Sequence, residues 1–154
     1  MNTTIDSTVS TLNDLIETLK DGQHGFKAAA HDVKSSELKA VFEKYSTQRA
    51  EFIAELQARV IGLGADVEKS GSVAGALHRG WMNLKSAMSS HEPHAVLAEC
   101  ERGEDAAVKA YREALEKADI DEPTRQIFTR QYLAIQSAHD DIKRLRDSDT
   151  YRKR

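Results

Sequence analysis

The residues with the most chemistry in this chain fall where an apolar core is expected. Leu97, Cys100 or Glu101, Glu104, Val108, Tyr111 and Leu115 recur in steps of three and four, which marks one face of a helix. Glu104 sits in the middle of that stripe, and Glu101 lies one turn earlier on nearly the same face. A carboxylate on a buried face is costly unless it is paired or bound to a metal. Gly103 lies between the two glutamates, in mid-helix, where glycine costs about 1 kcal/mol relative to alanine. A local rule broken at that point signals close packing or function.

Simple register supplies partners from other segments. Arg49 comes level with Glu104 if their helices run parallel, Glu17 reaches the same level from an antiparallel neighbour, and His139 comes near Glu101 in the same way. The layer then holds Glu17, Gln48, Arg49, Glu51, Glu101, Glu104, Gln131 and His139. Two chemistries suit it. One is a carboxylate–histidine metal site for iron or manganese, with Glu17, Glu101, Glu104 and His139 as ligands. Dinuclear bundle sites use a Glu from each of two helices and a Glu-x-x-His from each of the other two. The other is a polar core network in which Arg49 forks onto Glu104, with Gln48, Glu51, Gln131 and His139 in the same layer. The motifs favour the network. Gln136-Ser137-Ala138-His139 carries glutamine where glutamate is needed, and Gln48-Arg49-Ala50-Glu51 has no histidine. No residue is assigned a catalytic or cofactor-binding role.

Other signals are weaker. Gly22-Gln23-His24-Gly25 suggests a kink or a close helix contact. His91-Glu92-Pro93-His94 has metal-compatible spacing, but it spans a loop and a first helical turn. His78-Arg79-Gly80-Trp81 reads as the anchor of a connecting helix, with Trp81 docked on the core. Cys100 reads as a buried structural thiol. From Lys143 to Arg154 there are six basic residues and two aspartates, and the stretch from Asp147 onward reads as a frayed polar tail.

These residues must be positioned by long helices. Periodicity and turn formers place helix A at about Thr8–Asp32, B at about Ser36–Leu63, C at about Pro93–Ala118 and D at about Pro123–Arg146. A shorter crossover helix is expected at about Ser72–Met88. Gly64 follows the last periodic residue of B as a C-terminal cap, and Pro93 and Pro123 suit first helical turns. Helices of about 25 residues, about 37 Å long, suit a bundle. Short A–B and C–D links make two antiparallel hairpins. The long B–C link returns along the bundle, so B and C run parallel. This is the ferritin-like order of a four-helix bundle rather than the simple up-and-down one.

Length and composition agree. The 154 residues, 40% apolar and 31% charged, fit one domain over residues 1–154. One cysteine excludes an internal disulfide framework and suits a reducing, cytoplasmic setting. No apolar run is long enough for a membrane span, and no secretory signal opens the chain. A net charge of −3 argues against a dedicated nucleic-acid binder.

Three segments carry a resemblance: Leu12-Asn13-Asp14-Leu15-Ile16-Glu17-Thr18, the stretch Gly71-Ser72-Val73-Ala74-Gly75-Ala76-Leu77-His78-Arg79-Gly80-Trp81, and Glu99-Cys100-Glu101-Arg102-Gly103-Glu104-Asp105. They resemble a bacterial ferritin-like four-helix-bundle family known only as a domain of unknown function, over about Leu12 to Arg146. The resemblance implies the bundle fold and no established reaction, substrate or metal. Together with the damaged metal motifs, it points to a non-enzymatic bundle acting by homo-oligomeric assembly or partner binding, in a role such as stress tolerance. The alternative is an iron- or manganese-binding oxidoreductase with a degenerate site.

Overall fold

A computed structural model describes residues 3–67 and 80–152. Among them the chain is all helical: α1 spans Thr3–Asp32, α2 Ser36–Gly62, α3 Leu84–Ser89, α4 Pro93–Glu116 and α5 Glu122–Asp147.

The local signals act as read. The Ser35 hydroxyl accepts from the amide of Leu38 at 3.2 Å and starts α2. The same helix ends on Gly64, whose φ is +82°. There the Gly64 amide donates to Ile61 and the Ala65 amide to Val60, the paired bonds of a glycine-terminated helix. Pro93 and Pro123 occupy first turns. Helix α1 begins at Thr3 rather than near Thr8, because the residues before Thr8 contain no breaker and Asp6 favours the helix N-terminus.

Side-chain bonds set the helix directions. Tyr45 donates to Asp141 at 2.7 Å and Arg59 to Thr124 at 2.9 Å, so α2 and α5 run antiparallel. Lys117 reaches Thr11 at 2.9 Å, while Gly25 and Gly103 meet the same Trp81 ring, so α1 and α4 are antiparallel too. Connections at 33–35 and 117–121 close the α1–α2 and α4–α5 hairpins. Helices α2 and α4 therefore run parallel, so Gly62 and Pro93 lie at opposite ends of the bundle. In cross-section α1 touches α2 and α4, and α5 touches α4 and α2. Helices α2 and α4 thus face each other across the diagonal.

Of the expected crossover helix at about Ser72–Met88, only Leu84–Met88 is helical among the described residues. Its first part lies outside the described residues, and residues 80–83 are not helical. Gly80 adopts φ +90°, and a Cβ there would meet the Gly103 Cα at 2.9 Å and the Arg102 carbonyl at 3.0 Å. Backbone with this φ, pressed so closely onto α4, is not helical at Gly80, and the short α3 begins at Leu84.

The core forms two apolar clusters. One is built around Leu12, Leu15, Leu56, Tyr111 and Phe128. The other is built around Phe26, Phe42, Trp81, Leu97 and Ile142. On α2 they are separated at Arg49, and on α4 at Gly103 and Glu104. The division of the core is polar.

Candidate functional site

The dividing layer is an ion pair. Arg49 Nη1 lies 2.5 Å from Glu104 Oε1 and Nη2 lies 2.6 Å from Oε2. The side chains are 1% and 0% exposed. Two parallel charge-assisted bonds give the fork its geometry. Burial alone would push the Arg49 guanidinium down, but Glu104 outweighs it and the net shift is upward, so Arg49 is a fixed cation. Its Nε donates to Gln48 at 3.3 Å, and its guanidinium lies 5.4 Å from the Phe26 ring centroid. Gly22 makes room for it, since a Cβ there would stand 3.2 Å from Nη1.

Several residues expected in this layer lie elsewhere. Gln131 is fully buried, but it accepts from the Tyr111 hydroxyl at 2.6 Å and donates to Glu55 at 2.7 Å. It serves a separate network. Glu51 is exposed on α2, because residues two apart on a helix do not share a face, and Arg49 takes the inward position. His139 is only partly buried, because Ala138 holds the core position beside it. Glu17 is buried on α1 and is not among the residues of the cluster described next.

That cluster lies on the outer side of the α4–α5 hairpin. Glu101 and Asp105, one turn apart on α4, meet His139 of α5. His139 Nε2 is 2.6 Å from Asp105 Oδ1 and 3.5 Å from Glu101 Oε1. Its Nδ1 is 3.1 Å from Asp140 Oδ1, and the bond with His139 lowers the Asp140 carboxyl below its ordinary value. Arg146 pairs with the other oxygen of Glu101. One potential ligand atom from each of Glu101, Asp105 and His139 lies within 4.8 Å of the others. The four expected metal ligands are therefore divided. Glu101 and His139 come together, Glu104 is committed to Arg49, and Glu17 is not part of the cluster. Sequence reasoning missed Asp105, although its spacing of four from Glu101 was the available signal.

Trp81 explains two of the glycines. Its indole lies between α1 and α4, where a Cβ on Gly25 would come within 2.3 Å of the ring and one on Gly103 within 2.1 Å. It also meets Phe26 edge to face at 5.1 Å. The glycines flagged in the sequence mark close packing, and α1 continues through Gly22 and Gly25 without a break. Trp81 docks on the core as expected, though not from within a helix.

The remaining signals resolve individually. Cys100 is buried, and burial together with Glu104 and Glu99 pushes its thiol well above the ordinary value. His24 is exposed. His94 Nδ1 turns to the Arg146 carbonyl at 3.3 Å, while His91 is exposed with φ +55°. His91 lines a cleft of about 200 Å³ at the bundle end with Asp32, Val33, Lys34, Leu38 and Pro93. His78 lies outside the described residues. The tail is not frayed as far as Arg152. Tyr151 bonds Ser35 at 3.1 Å and Glu37 at 2.7 Å, tying the C-terminal turn to the start of α2.

Comparison with protein families matches residues 7–117 to a domain of unknown function, DUF2383. The chain belongs to that family. The match runs from within α1 through α2, α3 and α4 and stops before α5. No curated protein matches the chain. No helix among the described residues is long and apolar enough to cross a membrane.

Proposed function

We propose that this protein is a ferritin-like four-helix bundle that works without redox catalysis, through assembly with copies of itself or binding to a protein partner, in a role such as stress tolerance. The observation that carries this reading is the Arg49–Glu104 fork. Carboxylate-bridged metal centres sit between the helices on inward-facing glutamates and histidines. In this chain Glu104, the inward-facing glutamate of the dividing layer, has both oxygens bound to a guanidinium that stays protonated. A cation entering the layer would meet a fixed positive charge and a carboxylate already neutralised. The buried thiol of Cys100 is likewise held in its unreactive form. What the interior supports is a rigid scaffold, and function then falls to the outer helix faces.

The test has two parts. Oxygen and peroxide consumption is followed with Fe²⁺ or Mn²⁺ added to purified protein, and sedimentation velocity reports the assembly state. The reading expects consumption no faster than the metal alone and a discrete assembly, or a monomer that recovers a stable complex with a partner. Metal-dependent turnover that Glu104→Gln abolishes would overturn it.

A further inference from the structure

We propose that Glu101, Asp105 and His139 form a peripheral binding site for one first-row divalent cation of the Zn²⁺ or Mn²⁺ type, outside the core and independent of the Arg49–Glu104 layer. The donor set is one imidazole nitrogen and two carboxylate oxygens, supplied by two helices that pack directly on each other. Imidazole with carboxylate suits Zn²⁺ and its transition-metal neighbours, whereas Mg²⁺ and Ca²⁺ take oxygen donors.

The geometry is close to what such an ion needs. Tetrahedral Zn²⁺ with bonds of about 2.0 Å separates its donors by about 3.3 Å. The His139 Nε2 distances to Asp105 and Glu101, 2.6 and 3.5 Å, bracket that value. Asp105 is exposed, so its carboxylate has room to adjust toward the longer separation. The α4 ligands are one helical turn apart, so both reach the same side of the hairpin without any change in backbone.

The surroundings of the ring point the same way. Asp140 lies 3.1 Å from Nδ1 and Asp105 2.6 Å from Nε2, so a carboxylate faces each ring nitrogen. A neutral ring has one hydrogen for its two nitrogens, so with that hydrogen directed to Asp140 the Nε2 lone pair is available to a metal. Two carboxylates converge on Nε2 and one on Nδ1, so Nε2 is the side on which a cation gathers three donors. The arrangement Asp140–His139–cation is the usual outer support of a metal-binding histidine. Three carboxylates surround the imidazole, and the guanidinium in contact with the group, Arg146, engages only the far oxygen of Glu101. Lys143 acts electrostatically on Asp140.

Titration calorimetry with Zn²⁺, and separately with Mn²⁺, tests this on the full chain, with Mg²⁺ as control. One equivalent of Zn²⁺ is expected to bind, Mg²⁺ much more weakly, and the imidazole Nε2 resonance of His139 should move in ¹⁵N spectra. His139→Gln and Asp105→Asn should each weaken Zn²⁺ by at least about tenfold, and Asp140→Asn by about tenfold through the outer contact. Arg146→Gln should tighten it, because it frees an oxygen of Glu101; a purely structural ion pair predicts no gain. Glu104→Gln should leave Zn²⁺ affinity unchanged, which separates this site from any core centre. Circular dichroism confirms that each variant is folded. Equal stoichiometry and affinity in folded His139→Gln would overturn the proposal by placing Zn²⁺ on other histidines. So would no Zn²⁺ binding to the wild type.

Discussion

Arg49 on α2 and Glu104 on α4 meet across the diagonal of the bundle, 55 residues apart in sequence, through two bonds of 2.5 and 2.6 Å. Helices on a diagonal do not pack backbone to backbone, so only long side chains can join them. The fork fills the space that two apolar side chains would otherwise share, and it divides the core into two clusters. An ion pair of this kind adds little net stability over an apolar pair of the same volume, because both charges lose their water. It does penalise any register in which the two groups miss each other. The paired charges thus specify how the hairpins dock.

Removing one member should therefore cost far more than removing both. Glu104→Ala leaves a buried guanidinium without its carboxylate, and the expected loss is about 3–5 kcal/mol in urea unfolding. The double variant Arg49→Met/Glu104→Leu should be more stable than either single variant. Additive losses would show that the fork does not act as a unit.

Trp81 reports on its own notch, since it is the single tryptophan. Gly103→Ala places a methyl group within 2.1 Å of the indole. Overpacking costs about 1–3 kcal/mol, and the helix regains up to about 1 kcal/mol from alanine. The indole should move outward and its emission shift to the red. Unchanged emission would mean that the ring does not occupy the notch in solution.

Asp121 supplies an acid-sensitive contact. Burial alone would raise its carboxyl, but the hydroxyl of Thr124 and the guanidinium of Arg59 hold it below the ordinary 3.8. A carboxyl lowered in the folded state stabilises the fold above its unfolded value, and that contribution is lost as pH falls through the folded value. Stability measured from pH 6 down to about pH 2 should fall less steeply in Asp121→Asn than in the wild type. Parallel curves would place the acid sensitivity elsewhere.

Cys100 should resist thiol reagents. It is fully buried, and its thiol is held protonated by burial and by the nearby carboxylates of Glu104 and Glu99. Disulfide-forming chromogenic reagents at pH 8 should react only after denaturant is added. Rapid labelling of the native protein would show that the α4 face opens.

Much of this molecule is readable from residue order, because the deciding forces are local. Ser35, Gly64, Pro93 and Pro123 mark helix ends through capping and backbone constraints that involve only their neighbours. Stripes of apolar residues at helical spacing then show which faces turn inward. Even the Arg49–Glu104 pair follows, since parallel helices with known starts bring two inward-facing charges to one level.

What could not be read depends on rotation of a fraction of a turn and on contacts between distant segments. A helix turns 100° per residue, so choosing Ala138 rather than His139 for the core moves an imidazole from the central layer to the α4–α5 surface. That rotation takes His139 away from Glu104 and brings it to Asp105. Gly25 and Gly103 could be seen as anomalies, but their shared reason, the indole of Trp81, exists only once three segments pack together. Tyr151 likewise finds Ser35 and Glu37 only because the bundle brings the end of α5 beside the start of α2. Periodicity sets which side of each helix is buried; packing between helices sets which polar groups at the edge of that side meet.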